Sequence, residues 1–375
     1  MATTPSIAMI PSGYKANKVY SLLPTDGSGD LNFSRTTNGT RVNSDSLIEE
    51  VAIGVPRLDY TDGGCPSLLL EPNSTNLITY SEDYSNAYWA KSGATVTSGF
   101  SAPSVDSPLG AFVLKSTGTG QIQAVYSGST GVAYTASFWI KRKTGSGVVN
   151  LRSVENTNTP ITITNEWARY SLPVTSTSTS IRVGLKLDTV GDEVYIFASQ
   201  LEQKSYATSD IPTSGTAISR TADSASKSGI SSLINSSEGV FYVEIENKFP
   251  SATTRGWNLQ SSLNNGSDLI SIRFSTSQSI VFYLRANGVT TINESVVNSY
   301  SGFIKIALKY KSGDSSLWIN GVEVALSATA FSFSNPLSIL GNFDGLGGVG
   351  HFGLKDSRVY KTVLSDSELQ ILTTI

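Results

Sequence analysis

Apolar and polar residues alternate along most of this chain, and glycine, proline, asparagine and serine interrupt the alternation at short intervals. A period of two places successive side chains on opposite faces of a β-strand, whereas an amphipathic helix needs a period near 3.6. Two segments, IVFYLRANGVTTI at 280–292 and SSLWINGVEVAL at 315–326, carry Asn-Gly between alternating runs. Because a type I′ turn needs positive φ at both central residues, each segment is predicted to form a β-hairpin.

Helical periodicity is weak until the C-terminus. There, the segment LSDSELQIL at 364–372 has Ser365 as a candidate N-cap, and Glu368 follows three residues later at the spacing of a capping box. We therefore predict one short closing helix on an all-β chain.

The chain has 375 residues, enough for two β-domains and a smaller piece. We predict two tandem antiparallel β-sandwiches of the jelly-roll type, preceded by a small N-terminal attachment region. The predicted boundaries are 1–60 for the attachment region, 61–222 for a first sandwich similar to a carbohydrate-binding module, 223–228 for a linker, and 229–375 for the second sandwich. The polar stretch at 209–229 loses the strand period, as a linker does.

Composition excludes several functions. Only 15% of the residues are charged and the net charge is -3, so the chain lacks the basic surface that nucleic-acid binding requires. The single cysteine, Cys65, and the single histidine, His351, cannot make an intramolecular disulfide or a structural zinc site. Asn342 and Asp344 offer two oxygen donors, too few for a calcium site. No apolar stretch approaches the roughly 20 residues that span a bilayer. We expect no metal, cofactor, nucleic-acid or membrane partner.

Two stretches resemble a module of bacteriophage tail and head appendage proteins. The first stretch contains, in the order typical of that module, a leucine run at 68–70, Glu71-Pro72, Thr75-Asn76-Leu77, Tyr80-Ser81 and Trp89. The second stretch, at 199–223, is similar to the Gln-Leu-Glu, Ala-Thr-Ser, Ile-Pro-Thr and Arg-Thr-Ala-Asp strings that end the same modules. Together the two stretches bracket residues 56–223. The resemblance implies a fibre or spike subunit of a phage virion.

The C-terminal region resembles the concanavalin-A-like and laminin-G-like sandwiches. LWINGVEV, LSILGNFDG and GHFGLKDSRVYKTVLSDSELQIL follow that family's order of a hairpin, a Gly-rich strand, a final strand and a capping helix. The resemblance implies a jelly-roll sandwich and frequent carbohydrate binding.

One pair of carboxylates has the spacing of a catalytic pair. Glu244 and Glu246 alternate on a predicted strand, so they would lie about 7 Å apart, within the range that glycosidases use. Concanavalin-A-like glucanases continue such a motif to a further acid, whereas Asn247 and Lys248 follow here. We therefore interpret the pair as a solvated strand face and expect no catalytic residues and no enzyme activity.

Aromatic residues are the candidates for glycan binding, because sugars present C–H faces that stack on exposed rings. The candidates are Trp257, Tyr283 and Trp318 in the second sandwich and Tyr88 and Trp89 in the first.

The expected function is that of a fibre or spike subunit, on the tail or head of a bacteriophage virion, that presents β-sandwiches to a host-surface glycan. Two alternatives stay open: a purely structural adaptor or decoration protein, and a surface-polysaccharide depolymerase. The expected partners are other virion proteins through the N-terminal region, the host glycan, and further copies of the chain in a trimer or alternatively a dimer, since several copies gain avidity. The expected location is the virion surface, after synthesis in the host cytoplasm.

Overall fold

The computed structural model describes residues 3–153, 157–248, 255–261, 266–275, 279–296, 300–342 and 350–375. The first strands are β1 (Ile7–Met9), β2 (Tyr14–Lys15), β3 (Lys18–Val19), β4 (Leu31–Ser34), β5 (Gly39–Val42), β6 (Ile48–Val51), β7 (Leu58–Asp59), β8 (Ser67–Leu70) and β9 (Ser74–Asn76). The middle strands are β10 (Ala90–Phe100), β11 (Ala111–Ser127), β12 (Ala133–Thr144), β13 (Val149–Ser153), β14 (Thr157–Ile161), β15 (Ala168–Thr175), β16 (Ser180–Leu187), β17 (Glu193–Glu202) and β18 (Ile218–Arg220). The last elements are β19 (Ser224–Ser228), a 3₁₀ turn (Ser231–Leu233), β20 (Glu238–Asn247), β21 (Arg255–Gln260), β22 (Leu269–Phe274), β23 (Ile280–Ala286), β24 (Val289–Val296), β25 (Ile304–Lys311), β26 (Ser315–Ile319), β27 (Val322–Ser327), β28 (Ile339–Gly341), β29 (Phe352–Tyr360) and the helix α1 (Asp366–Thr373).

The chain forms two compact units. Unit 1 comprises Met1–Asn38, Val51–Pro72 and Thr221–Ile375, and unit 2 comprises Gly39–Glu50 and Asn73–Arg220. This division differs from the predicted boundaries, which placed residues 1–60 in a separate attachment region. The reason is strand pairing: β1 and β8 both add to β29, so most of the N-terminal region completes the C-terminal sandwich.

Unit 1 is built from two antiparallel sheets. One sheet has the order β27-β26-β25-β20-β29-β8-β7, with β1 also paired to β29, and the other has the order β2-β3-β4-β19-β28-β21-β22-β23-β24. Alternate residues of β20, namely Phe241, Val243 and Ile245, lie in the same buried apolar cluster as Trp257 and Leu259 of β21. The strand period therefore gives each sheet one inward apolar face, as in a β-sandwich.

The other face of β20 is also buried. Val240 and Tyr242 form a second cluster with Trp318 of β26 and Leu369 of α1. The helix begins at the N-cap Ser365, whose hydroxyl accepts from the backbone N–H of Glu368, while the Glu368 carboxylate accepts in return. The capping box predicted from the sequence is thus confirmed, and the helix packs an apolar side against the sheet.

A buried ion cluster lies inside unit 1. The Arg57 guanidinium pairs with both Glu71 and Asp223, and Arg35 pairs with Asp223 at 3.2 Å. The His351 Nε2 atom lies 3.0 Å from Glu71 Oε1. The backbones of Glu71 and Thr221–Asp223 are close as well, because the Asp223 N–H donates to the Glu71 carbonyl at 2.9 Å. The cluster therefore joins the second point at which the chain leaves unit 1, after Pro72, to the point at which it returns, at Thr221.

Unit 2 is a second antiparallel sandwich. Its main sheet has the order β14-β13-β16-β11-β17-β12-β15, with β10 also paired to β11. The long strand β11 serves both layers, because its first part pairs with β17 and its second part pairs with β16. Gly120 lies between these parts with φ of 63°, and a Cβ there would stand 2.3 Å from the Leu187 carbonyl oxygen, so the crossing needs glycine.

The two Asn-Gly hairpins are confirmed. Asn287 and Gly288 join β23 to β24, and Asn320 and Gly321 join β26 to β27, with positive φ at all four residues. The chain is all-β apart from its short helices, in antiparallel sheets of the sandwich type, as the alternation predicted.

Candidate functional site

One strand of unit 2 presents a tryptophan on its outward face. Along β12, the even-numbered residues from Tyr134 to Ile140 lie in the buried core of unit 2, so the odd-numbered residues point the opposite way. Trp139 and Lys141 are both partly buried on this outward face. Across the sheet, Lys141 pairs in register with Tyr195 of β17. Alternate residues of one strand lie roughly 7 Å apart and directly opposed residues lie closer, so these side chains form one compact surface.

Further aromatic rings extend this surface into a groove of about 540 Å³. The Tyr195 ring lies 5.5 Å from the Phe100 ring and 6.1 Å from the Trp167 ring, centroid to centroid. The lining residues, which we call the aromatic groove, are Ser46, Leu47, Phe100, Ser101, Ala102, Pro103, Trp139, Lys141, Glu166, Trp167 and Tyr195. The volume is that of a small-molecule site, and the lining combines apolar ring faces with a few polar groups.

Trp139 is held in place from behind. Its indole Nε1–H donates to Asp210 Oδ2 at 2.9 Å, and Arg169 lies 3.1 Å from the other carboxylate oxygen. Arg169 also donates to the hydroxyl of Ser137 at 3.0 Å. Burial raises the pKa of the Asp210 carboxyl, and the Arg169 charge and the Trp139 hydrogen bond oppose that rise. The ring orientation is therefore fixed by a partly buried hydrogen bond to a buried carboxylate and by packing of the ring against an apolar cluster that includes Phe197 and Ala198.

The strings that resemble phage modules build this support. Asp210 lies between Ala-Thr-Ser and Ile-Pro-Thr in the second string. The buried Glu202 carboxylate, from Gln-Leu-Glu, accepts from the Thr208 N–H at 2.8 Å. The buried Asn76, from Thr-Asn-Leu, donates to the Ile211 carbonyl at 2.9 Å. The buried side chains Asn76, Glu202 and Asp210 thus form hydrogen bonds within unit 2, and Asp210 links them to Trp139 of the groove.

Basic residues around the groove differ in their partners. Glu193 pairs with Lys143 at 2.6 Å and with Lys115 at 3.0 Å, and these two ammonium groups lower the pKa of the Glu193 carboxyl. The Lys143 ammonium also lies 5.3 Å from the Phe100 ring centroid, within cation–π range. Lys143 thus lies beside a ring of the groove while its charge is paired with Glu193.

A smaller pocket of about 260 Å³ in unit 2 is acidic. Glu82 lines it, and burial raises the pKa of its carboxyl to about 7, against a hydrogen bond from Ser107. The nearby carboxylates of Asp210 and Asp106 raise that pKa further. A carboxyl with this pKa is partly protonated near neutral pH.

Three of the predicted glycan-binding residues have no open ring face. Trp257 has 0% exposure and its Nε1–H donates to the Ser357 hydroxyl at 2.8 Å. Trp89 has 1% exposure and packs in the core of unit 2. Trp318 has 7% exposure because the cluster around α1 covers it. These rings are structural in this conformation, which corrects the expectation that they stack on a sugar.

The other two predicted residues lie outside the aromatic groove. Tyr88 is partly buried against Tyr80, with ring centroids 5.8 Å apart, and burial raises the pKa of its hydroxyl. Tyr283, in unit 1, has the Arg273 guanidinium 3.6 Å from its ring centroid, and its hydroxyl shares a hydrogen bond with Thr290 at 2.7 Å. One face of the Tyr283 ring is thus already occupied.

The carboxylates considered for catalysis are engaged within unit 1. Glu246 forms an ion pair with Lys248, which also pairs with Asp62 at 2.9 Å. Burial lowers the pKa of Lys248, but these two partners outweigh burial and raise it. Glu244 pairs in register with Asp356 on one side and Lys305 on the other.

The two residues considered as calcium ligands, Asn342 and Asp344, are not seen together as a binding site in the described residues. Asn342 is buried, where it accepts from the Ala225 N–H and donates to the Asp223 carbonyl, and Asp344 lies outside the described residues. Within the described ranges, no three His, Cys, Asp or Glu side chains are grouped as metal ligands. Of the described helices, none is long and apolar enough to cross a membrane.

The sequence contained a signal for Trp139 that the choice of candidates missed. In YTASFWIKRK the even-numbered residues are apolar, and Trp139 belongs to the odd-numbered set with Ser137 and Lys141. A tryptophan on the polar face of an alternating strand is a stronger candidate for ligand contact than one on the apolar face.

Comparisons with known proteins give partial matches among solved structures. No family model and no curated protein sequence matches the chain. A sialidase carbohydrate-binding module (CBM40) from Ruminococcus gnavus, bound to α2,3-sialyllactose, is 17% identical with a TM-score of 0.32, covering 38% of this chain and 84% of that one. Domain 4 of a Geobacillus stearothermophilus extracellular arabinanase, in complex with arabinotriose, is 13% identical with a TM-score of 0.33, covering 41% and 73%. The enzymatically active domain of bacteriophage CBA120 tailspike protein 4 is 16% identical with a TM-score of 0.28, covering 34% and 21%.

Proposed function

We propose that this protein is a glycan-binding subunit of a bacteriophage fibre or spike, and that the aromatic groove of unit 2 holds a host-surface glycan. The observation that carries the proposal is the outward-facing set of Trp139, Trp167 and Tyr195 in one groove. Several partly exposed rings grouped in one groove are typical of an interaction site, and their flat apolar faces match the C–H face of a pyranose ring.

The side chains of the aromatic groove are preorganised for binding. Trp139 is oriented by its hydrogen bond to Asp210, and Phe100, Tyr195 and Trp167 contact one another in sequence. Rigid rings lose little conformational freedom on binding, so more of the contact energy remains as affinity. Hydroxyl groups of Ser46 and Ser101 in the lining can exchange hydrogen bonds with sugar hydroxyls.

The virion role is supported by the two module-like strings. Glu71 and Asp223, from the first and last of these strings, meet in the ion cluster of unit 1. Asn76 and Glu202 form buried hydrogen bonds within unit 2. The residues that carry the resemblance thus serve as a structural frame for a sandwich inserted into the chain, as a display module of an appendage would require.

We further propose that the protein binds glycan without cleaving it. In unit 1 the Glu246 carboxylate is paired with the Lys248 ammonium, which also pairs with Asp62. A glycosidase needs one carboxyl that keeps a proton and a second that acts as base or nucleophile, both facing the substrate. Glu246 is engaged within the protein by this ion pair, and Glu244 lies in register between Lys305 and Asp356 of the neighbouring strands.

The test is retention of the purified protein on a panel of bacterial surface polysaccharides, with polymer chain length measured in the same samples. The variants are Trp139→Phe, Trp167→Ala and Tyr195→Ala, with Tyr20→Ala as the matched control. Tyr20 is 39% exposed and belongs to unit 1. We expect the wild-type protein to be retained without shortening of the polymer. Affinity should fall about 30-fold in the Trp167→Ala and Tyr195→Ala variants, since a buried aromatic contact is worth about 2 kcal/mol. The control variant should bind as the wild type does.

Each other outcome has a definite meaning. Polymer shortening would overturn the non-enzymatic part of the proposal. Retention that survives all three groove substitutions, in variants with unchanged thermal unfolding, would overturn the assignment of the groove. Absence of retention across the panel would overturn glycan binding and favour an adaptor or decoration role.

A further inference from the structure

The groove contains a lysine, Lys141, whose ammonium has no ion-pair partner among the described residues. Lys141 lines the groove between Trp139, two residues before it on β12, and Tyr195, opposite it on β17. Within the described part of the chain, no carboxylate oxygen lies within 4.0 Å of the Lys141 ammonium. A partly buried ammonium lacks part of its hydration and favours an anion nearby.

The neighbouring basic residues are all paired. On the same strand, Arg142 lies 3.2 Å from Asp192 and Lys143 lies 2.6 Å from Glu193. On β15, Arg169 lies 3.1 Å from Asp210, and on β11, Lys115 lies 3.0 Å from Glu193. Lys141 differs from them because it faces the groove, where the place of its counter-ion is open to a ligand.

From this arrangement we infer that the groove selects an acidic sugar residue, one that places a carboxylate on Lys141 while its ring stacks on Trp139, Trp167 or Tyr195. The inference rests on the proposed function, since it names the ligand class of the same groove. The dimensions agree: Trp139 and Lys141 lie roughly 7 Å apart along the strand, so a six-membered ring over the indole can reach the ammonium with a substituent. An ammonium on a flexible stem is suited to a single anionic group.

The one carboxylate in the lining sharpens the expected selectivity. Glu166 precedes Trp167 and is exposed, so it lies on the groove's rim. An anionic ligand is repelled by Glu166 and attracted by Lys141, which favours placement of the ligand carboxylate at the Lys141 side. Neutralising Glu166 should therefore strengthen binding of acidic glycans, whereas neutralising Lys141 should weaken it.

The experiment uses the full chain and matched pairs of ligands. Acidic and neutral bacterial capsular polysaccharides are tested for retention, and each acidic polymer that binds is tested again after chemical reduction of its carboxyl groups to alcohols. Lys141→Gln and Glu166→Gln are compared with Lys186→Gln. Lys186 pairs with Asp188 at 2.6 Å outside the groove lining, so its substitution makes the same change of net charge elsewhere in unit 2.

We expect the retained polymers to be acidic, and we expect carboxyl reduction and Lys141→Gln each to weaken retention about tenfold or more. Glu166→Gln should increase retention and Lys186→Gln should leave it unchanged. Retention of neutral polymers, lost in Trp167→Ala but not in Lys141→Gln, would overturn this inference and leave the proposed function standing. Retention that depends on neither Lys141 nor the groove rings would overturn both this inference and the proposed function. Equal losses in Lys141→Gln and Lys186→Gln would show only a general effect of net charge and would overturn this inference.

Discussion

Replacement of Arg57 by methionine should destabilise unit 1 strongly. The side chains of Arg57, Glu71 and Asp223 have 0% exposure, and the guanidinium is bonded to both carboxylates. Without it, Glu71 and Asp223 lose the guanidinium that they share, while Arg35 still pairs with Asp223 at 3.2 Å and His351 Nε2 still lies 3.0 Å from Glu71 Oε1. Removing one partner of a buried ion pair costs about 3–5 kcal/mol, because the remaining charge stays out of water without compensation. That cost is a large fraction of the 5–15 kcal/mol by which a domain is usually stable.

Hydrogen exchange measured by mass spectrometry can assign this loss to one unit. Amides of β20 (Glu238–Asn247) report on unit 1, and amides of β16 (Ser180–Leu187) serve as the internal reference in unit 2. We expect the opening free energy of β20 to fall by about 3–5 kcal/mol, while that of β16 changes much less. The matched control is Lys311→Met in unit 1, where a half-exposed ammonium lies 4.0 Å from Glu238. Exposed pairs contribute about 0–1 kcal/mol, so the control should be nearly neutral.

A compensating variant tests the reasoning more sharply. Arg57→Met with Glu71→Gln removes one cation and one anion together and keeps an acceptor oxygen near His351. The remaining pair, Arg35 and Asp223, is balanced, so most of the lost stability should return. A loss below about 1 kcal/mol in Arg57→Met, or a double variant less stable than the single one, would refute the claim that charge balance dominates this cluster.

Further predictions concern pH, ring position and the helix. Because burial raises the pKa of Glu82 from 4.5 to about 7, its folded-state cost is absent below pH 4.5 and complete above pH 7. The free energy of unfolding of Glu82→Gln, measured by urea denaturation, should therefore rise above that of the wild type by up to about 3 kcal/mol as pH rises through that window. A difference in unfolding free energy that does not change with pH would contradict this prediction. Asp210→Asn keeps an acceptor for Trp139 and should preserve glycan retention, whereas Asp210→Leu should lower it about tenfold and shift the indole N–H resonance. Ser365→Ala should cost about 1 kcal/mol in thermal unfolding through loss of the N-cap, and Ser367→Ala should cost much less.

Local structure could be predicted from the sequence because its causes are local. Asn320-Gly321 forms its turn because those two residues tolerate positive φ, and the capping box of Ser365 needs only residues of one helical turn. The pairing of β8 with β29 could not be predicted, since it joins segments that are far apart along the chain. For the same reason the boundaries of the two units differ from the predicted domain boundaries, although the predicted all-β class and sandwich architecture are confirmed.

Three of the predicted glycan-binding residues, Trp89, Trp257 and Trp318, are buried because the strand period gives only half of the answer. Alternation shows that Trp318 and Leu317 point to opposite faces of β26, but it does not show whether another element covers the outward face. For Trp318 the cluster around α1 supplies that cover, whereas Trp139 on β12 packs against a smaller apolar cluster and lines a groove. The difference is tertiary, so the two tryptophans look equivalent in the sequence.

The sequence strings that resemble phage modules and the residues of the aromatic groove have different roles in unit 2. Asn76 and Glu202 turn inward and satisfy buried backbone groups, so their replacement would leave polar atoms unpaired. Trp139 and Lys141 point outward from β12, away from the main core of unit 2, although Trp139 also packs against a smaller apolar cluster. The inward residues that carry the resemblance therefore describe a scaffold and not a ligand. Under the proposed function, the ligand class is set by the outward residues Trp139, Lys141 and Tyr195.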